Sequence, residues 1–342
     1  MRHRRVVVTG GCGYVGSVVA HRLAEEGAEV LIVDSLVHGH IEAAGALPLA
    51  HLDVRNTDEM ARVLREFRAD SVCHLAALAS VPESFEHPAE YEDVNVRGTR
   101  SLVDAMCASG VRHVVFASTC AIYDAPADAA HRLREGAPER PSSPYAASKH
   151  AAEQVLRNAG PAGISALALR LFNVAGADLA AGLGEAHEPE THVVPRLVRW
   201  AAGRGHFEIR GSDHETPDGT CVRDYVHLLD VARAHVAGVR LMSRRGGGQF
   251  DVVNVGSGEG VSVRELIGTA ERVLGRTLNA PVTERRAGDP PRLVADPRRA
   301  VEVLGWKATR TIGEMVKDAA EWDGRLNAMG GGPRAVHARS TK

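Results

Sequence analysis

The sequence lacks the features that would remove it from the ordinary globular class. Its five cysteines (Cys12, Cys73, Cys107, Cys120, Cys221) form no C-x-x-C pair, so no disulfide framework is expected in a chain this long. No stretch approaches the ~18 apolar residues of a membrane span. Behind the basic start Arg2-His3-Arg4-Arg5 the apolar run is only Val6-Val7-Val8, too short for a signal-peptide core. These absences predict a cytoplasmic protein without membrane association. A formal charge of −2 gives no global reason to expect a nucleic acid or an anionic bilayer as partner. No internal repeat is evident.

What is present fits a two-domain enzyme. At 342 residues, 44% hydrophobic and 25% charged, the chain can bury a sizeable core and carry a second lobe. Short β-branched runs at Arg5–Thr9, Glu29–Asp34, Ser71–Leu75, Arg112–Ala117 and Ser165–Leu169 read as buried strands. Helical stretches lie between them: Val15–Glu26, Thr57–Phe67, Pro88–Ser109 and Pro144–Ala159. That alternation predicts an α/β fold with a Rossmann-type doubly wound parallel sheet. After Gly176 frequent glycines and prolines break the rhythm, which marks a smaller α/β substrate lobe. A helix near Leu228–Ser243 and a strand at Phe250–Val255 predict a return to the first domain. The expected division is 1–176 with the return at about 224–256 for the nucleotide-binding domain, 177–223 and 257–329 for the lobe, and a disordered tail at 330–342.

The first strand runs into Gly10-Gly11-Cys12-Gly13-Tyr14-Val15-Gly16, a G-x-x-G-x-x-G spacing that opens a helix. Glycine permits a sharp turn and close backbone approach to a diphosphate, whose charge then meets the amide-rich helix N-terminus. Asp34 ends the next strand 18 residues after Gly16, where its carboxylate can accept from an adenosine ribose. It would repel a 2′-phosphate, so NAD is expected rather than NADP. Asp53 can reach the adenine edge, or simply cap a turn.

Tyr145 and Lys149 are four apart behind Pro144, which puts both on one face of a helix. Bringing a phenol from ~10 to ~7 requires about 4 kcal/mol of phenolate stabilisation. One cation about 4 Å away supplies that order of energy at an effective dielectric near 20. Lys149 together with a positive nicotinamide can therefore make Tyr145 a base. Ser118 and Thr119 end the fourth predicted strand, where ligands of open parallel sheets gather, and Thr119 can bridge Tyr145 and a sugar hydroxyl.

Eight motifs in one order resemble the UDP-galactose 4-epimerases of the extended short-chain dehydrogenase/reductase family: VTGGCGYVGS, ALASVPES, VNVRGT, FASTCAIY, SPYAASK, LFNVAGAD, PDGTCVRDYVH and RRAGDPPRLVADP. The resemblance spans about Val6 to Asp323. It implies Tyr145 as base, Thr119 as its hydroxyl partner, and Lys149 as the cation that sets the phenol and binds ribose. It further implies a cofactor pocket including Ser35, Leu36, Val54, Ala76, Ala77, Asn95 and Phe172. Asn173, Arg223, Tyr225, Arg286 and Asp289 would hold the UDP-sugar, with His192, Val193, Glu208, Arg210 and Leu293 bordering it. The implied reaction oxidises carbon 4, passes through a 4-keto sugar and returns hydride to the opposite face. The family usually forms homodimers.

The chain departs from the family pattern at three places. Arg210 stands where an apolar or aromatic residue is usual, Pro82 precedes Glu83-Ser84 in place of glycine, and Asp124 follows Tyr123 in place of glycine. Leu293 leaves open whether an N-acetyl group is admitted, so an epimerase of N-acetylated or uronic-acid UDP-sugars is the rival within the family. A dehydratase would need an acidic pair after Thr119, where Cys120 and Ala121 stand. A non-catalytic NAD-binding regulator would need neither Tyr145, Lys149 nor Thr119. His187-Glu188-Pro189-Glu190-Thr191-His192 does not follow the H-E-x-x-H zinc spacing, so no metal is expected there.

Overall fold

A computed structural model describes residues 1, 4–124, 132–286 and 289–328; the predicted tail at 330–342 lies outside the described residues. The chain starts with β1 (Arg5–Thr9), α1 (Tyr14–Glu25), β2 (Glu29–Asp34), β3 (Leu49–His51), α2 (Thr57–Phe67) and β4 (Ser71–His74). Then α3 (Val81–Glu86), α4 (Pro88–Tyr91) and α5 (Gly98–Ser109) lead to β5 (His113–Thr119), α6 (Pro144–Asn158) and β6 (Ser165–Leu171). After β7 (Asn173–Ala175) come α7 (Val193–Ala201), β8 (Ile209–Arg210), β9 (Val222–His227), α8 (Leu228–Met242) and β10 (Phe250–Val255). The last elements are β11 (Gly260–Ser262), α9 (Val263–Leu274), β12 (Val282–Thr283), β13 (Arg292–Leu293), α10 (Arg298–Leu304) and α11 (Ile312–Ala328).

Seven strands form one sheet in the order β10-β6-β5-β4-β1-β2-β3, with every neighbouring pair parallel. This is the expected α/β Rossmann-type, doubly wound arrangement. Strand order reverses at β1 and β4, and the crevice above their carboxyl ends is where such sheets take ligands. The unbroken apolar runs follow from helices covering both faces. Val6, Val8, Ile32, Val115 and Leu167 face α1 and α8, whereas Val7, Val33, Val72, Phe116 and Ala168 face α2, α5 and α6.

Three differences from the sequence reading have physical causes. The helix expected over Pro88–Ser109 is interrupted by a π turn at Glu92–Arg97, a widened turn of the kind that gathers at functional sites. It holds Asn95, whose side chain leaves the helix to bond Leu78. β5 runs two residues beyond the apolar stretch, because Ser118 and Thr119 are polar yet have buried partners. β3 has only three residues, too few to register as a period.

The rest of the chain forms a four-stranded sheet centred on β9, paired with β7, β11 and β13, and a two-stranded sheet of β8 and β12. Val194, Leu197 and Val198 of α7, Leu266 and Ile267 of α9, and Met315 and Val316 of α11 share one core with Phe207 and Ile209. Asp224 on β9 ties the short pieces together. Its Oδ1 accepts from the Ser257 amide (2.8 Å) and hydroxyl (2.6 Å), and its Oδ2 from the amides of Gly258 (2.9 Å) and Ala295 (3.1 Å). Among the described residues no helix is long and apolar enough to cross a membrane.

Candidate active site

The glycine loop lies at the reversal of strand order. Gly10 takes φ +70°, and a Cβ there would stand 2.5 Å from the Ala76 amide nitrogen. A Cβ on Gly16 would stand 2.0 Å from the Gly10 carbonyl, so both glycines are needed to seat α1 against β1 and β4. At Gly13 the nearest atom would be 3.4 Å away, which leaves the approach open. Gly13 is the N-cap of α1 and brings no capping side chain, and the first turn has no acidic residue. The helix N-terminus is thus offered to an anion. Asp34 is buried, with Oδ2 accepting from the Cys12 amide (2.9 Å) and Oδ1 from the Leu36 amide (2.8 Å). Each carboxylate oxygen can accept a further bond, as ribose hydroxyls require. Leu36 takes φ +57°, a left-handed conformation that costs a side chain about 1–2 kcal/mol. Open amides, close backbone approach and a ribose-directed carboxylate fit a dinucleotide.

Not every residue expected at this pocket offers a side chain to it. Tyr14 donates to the Gly176 carbonyl (2.7 Å) and so joins the loop to β7. Val15 packs partly buried against the core beneath α1, and the Ser35 carbonyl lies 3.1 Å from His51 Nε2. Asp53 is committed to Arg55, whose guanidinium bonds hold its carboxyl below the usual range. Val54 is core. Asn95 braces two elements: its Oδ1 accepts from the Leu78 amide (2.8 Å), and its Nδ2 donates to the Leu78 carbonyl (3.0 Å) and to Ser148 (2.9 Å). This bracket holds the segment after β4, with Ala76 and Ala77, against α6. Phe172 follows β6 and is buried beside Cys120 and Leu293.

On α6, Ser143 caps the N-terminus by accepting from the Ala146 amide (3.1 Å), and Pro144 fills the first turn. The helix therefore begins early enough to hold Tyr145 and Lys149 one turn apart on one face. Thr119, at the end of β5, accepts from the Ala121 amide (3.2 Å), and its hydroxyl is near enough to Tyr145 to favour the phenolate. Tyr91 meets the Tyr145 ring edge-on at 6.4 Å. Lys149 Nζ lies 4.1 Å from the centre of the Phe116 ring. Ser118 is turned to the other face of β5, as strand alternation requires. There it donates to Glu153, which also pairs with the buried Arg170, so the structure does not bring Ser118 to Tyr145.

Burial dominates the electrostatics of the pair without its cofactor. Burial pushes the Tyr145 phenol up to about 12 against the opposing influence of the Thr119 hydroxyl, and burial pulls the Lys149 amine down to about 7 against the opposing Glu153 charge. Removing both groups from water disfavours both charges, so by themselves they favour the neutral pair.

In the smaller sheet β9 carries Arg223 and Tyr225, with Asn173 of β7 in register with Tyr225. Arg223 pairs with Asp289 and bonds the Val222 carbonyl (2.8 Å). Asn173 Nδ2 donates to the Asp224 carbonyl (2.9 Å), and Arg286 is exposed. Leu293 closes an apolar wall with Cys120, Tyr123 and Phe172. Arg210 is half exposed and paired with Glu208, on β8. His192 caps α7 ahead of Val193, and its loop brings it to Glu185, His187 and Glu190. Asp224 is the residue that sequence reasoning missed. Its signal was an acid inside an otherwise strand-like VRDYVH run, where a carboxylate must find several donors to be buried.

A sheet of this strand order with a glycine-lined crevice, a Tyr–Lys pair on the helix after β5 and a cationic strand in the smaller sheet defines a dinucleotide-dependent enzyme acting on an anionic substrate. The chain belongs to the NAD dependent epimerase/dehydratase family, which matches residues 6–256. It is 42% identical to the UDP-glucose 4-epimerase of Azospirillum brasilense over 98% of this chain and 97% of that protein. Its fold is similar to a UDP-glucose 4-epimerase from Stenotrophomonas maltophila solved with NAD and formylated UDP-arabinopyranose. The TM-score there is 0.91 at 33% identity, covering 96% of this chain and 100% of the other. A UDP-glucose 4-epimerase from Brucella ovis in complex with NAD gives a TM-score of 0.88 at 39% identity, covering 93% and 98%. The resemblance read from the eight motifs thus holds across the chain.

Proposed function

We propose that this chain interconverts UDP-glucose and UDP-galactose by inverting carbon 4 of the hexose. The carrying observation is the placement of Tyr145 and Lys149 one helical turn apart on α6, with Thr119 at the carboxyl end of β5 beside the phenol. Epimerases of that activity match nearly the whole chain. NAD, which the Gly10–Gly16 loop and Asp34 would hold, would supply the hydride chemistry at C4 and one positive charge. Tyr145 takes the proton of the 4-hydroxyl and gives it back. Thr119 holds the phenol oriented toward the sugar. Burial holds the phenol high and the amine low, so the positive charge of a bound nicotinamide would add to that of Lys149 in favouring the phenolate.

The remaining residues bind and orient. Asp34 accepts from the adenosine ribose while it keeps the Cys12 and Leu36 amides in place. Arg223 exchanges Asp289 for the diphosphate, which a guanidinium grips bidentately, and Asp289 turns to the uridine ribose. Tyr225, Asn173 and Arg286 complete the nucleotide contacts, and Leu293 with Cys120 borders the sugar. In this reading residues 1–176 and about 224–256 hold the cofactor, 177–223 and 257–329 hold the UDP-sugar, and the protein works as a cytoplasmic homodimer.

The test is to incubate purified protein with UDP-galactose, UDP-N-acetylgalactosamine and UDP-galacturonate, with no added nicotinamide, and to follow the anomeric proton signals. Conversion of UDP-galactose to UDP-glucose is expected. Inversion of another sugar alone would replace the substrate, and failure with all three despite bound NAD would overturn the enzymatic reading. Tyr145→Phe should lower turnover by about 100- to 10,000-fold with NAD still bound.

A further inference from the structure

The loop between β7 and α7 gathers a second group of titratable side chains, away from Tyr145. Glu185, His187 and His192 each offer a ligand atom within 4.8 Å of the others. The two Nδ1 atoms face one carboxylate: that of His187 contacts Glu185 Oε1, and that of His192 lies 3.2 Å from Glu185 Oε2. Glu190 Oε1 lies 2.9 Å from the same His192 nitrogen. The side chains of Glu185 and Glu190 are only 4% and 3% exposed. Both Oε2 atoms are buried and accept no hydrogen bond, an arrangement that is costly unless a cation meets them.

We propose that Glu185, His187 and His192 bind a divalent transition-metal ion of the zinc type, with the neighbouring Glu190 carboxylate as the fourth group. Imidazole with carboxylate suits zinc, whereas magnesium and calcium prefer all-oxygen sets. Ligand atoms arranged tetrahedrally at ~2.0–2.1 Å from zinc are about 3.3 Å apart. The His192–Glu185 separation of 3.2 Å needs little adjustment. Binding displaces the Nδ1 protons and leaves the other ring nitrogens to donate outward.

An entry path exists. Glu185 and His187 line a cavity of about 500 Å³ with Gly13, Tyr14, His38 and His40, and the His187 and His192 side chains are 34% and 41% exposed. The scaffold is anchored independently of the cluster. Trp322 Nε1 donates to the Glu185 carbonyl (2.8 Å), and Tyr14 holds the Gly176 carbonyl (2.7 Å). An ion at this point fastens the loop to His192, the N-cap of α7, and sets the first turn of that helix beside the glycine loop. It takes no part in the hydride or proton steps, and it stands whether or not the UDP-sugar reading does. The proposal departs from the expectation of no metal, which treated the two histidines as helical, whereas a loop can fold them onto one acid.

The experiment uses the full chain, untagged and with its dinucleotide bound, freed of metal with a chelator and titrated with Zn²⁺ under equilibrium dialysis. One ion per chain at micromolar free Zn²⁺ is expected. Adding Co²⁺ instead should give the visible absorption of a four-coordinate site, and Zn²⁺ should raise the Tm. His187→Ala and the milder His187→Gln should each weaken Zn²⁺ binding about tenfold or more and abolish the cobalt band. Retained dinucleotide and circular dichroism report that the variants fold. Binding well below one ion per chain by the wild type, or equal affinity in wild type and a folded variant, overturns the proposal in favour of a cluster neutralised by imidazolium alone.

Discussion

In the seven-stranded sheet, β1 and β5 are apolar runs whose alternate residues feed two cores, whereas β9 in the smaller sheet carries Arg223, Asp224 and His227 within six residues. The large sheet is joined by backbone ladders of four to seven registered residues between most neighbours. In the smaller sheet the partners of β9 have only two or three residues, and side chains finish the joints. Asp224 collects the chain at 257–258 and at 295, and His227 joins the amide of Leu229 (3.0 Å) to Asp318 of α11 (3.1 Å). Periodic elements tolerate chemistry at their ends, while irregular elements need buried polar clamps along their length. The placement of Arg223 therefore depends on Asp224 next to it.

Three measurements bear on this contrast. The largest effect is expected for Asp224→Ala, which strips the acceptors from three amides and should cost about 3–5 kcal/mol by urea unfolding. Hydrogen exchange should quicken at 257–262 and 292–295 and leave β1, β4 and β5 protected. Uniform quickening, or a cost under ~1 kcal/mol, would mean that the clamps do not hold the lobe together.

Next in size is the contrast between neighbours on β5. Thr119→Ala should lower kcat about 10- to 100-fold, a barrier increase of about 1.4–2.7 kcal/mol. Ser118→Ala should change kcat little and cost about 1 kcal/mol of stability through its lost bond to Glu153. Equal losses of turnover in the two variants would show that the two faces of the strand are not separated as strand alternation demands.

The third measurement concerns pH. Burial pulls His74 down to about 3 and His235 to about 4. Unfolded histidines titrate near ~6.5, so between these values the unfolded chain binds more protons and stability falls as pH falls. The contribution is full above ~6.5 and is lost toward pH 4, at no more than about 1.4 kcal/mol per pH unit for each histidine. Denaturant unfolding between pH 7 and 4 measures it. His74→Gln should flatten the slope, and an unchanged slope would remove His74 from the account.

The large sheet was legible because its signals are local. Strand Arg5–Thr9, helix Thr57–Phe67 and strand Phe250–Val255 were read to the residue, each from an apolar pattern with a turn or cap beside it. The glycine loop, the spacing of Tyr145 and Lys149 and the position of Thr119 were equally local. β11, β12 and β13 carry too few residues for any period, and the partners of Asp224 are 33 to 71 residues away. Ser118 was grouped with Thr119 because adjacency in sequence hides the alternation that separates them. The Glu185–His187–His192 cluster was missed because its members meet through a loop, for which no spacing rule exists.

By itself the sequence determined which elements form, in what order, and which residue types stand at the carboxyl ends of the strands, since hydropathy period, glycine and capping residues act within a few positions. Only the tertiary structure decided the burial of Tyr145 and Lys149, the tie between Asp53 and Arg55, the face taken by Ser118 and the meeting of Glu185 with two histidines. Those outcomes rest on burial and on contacts between distant segments, and no local pattern encodes either.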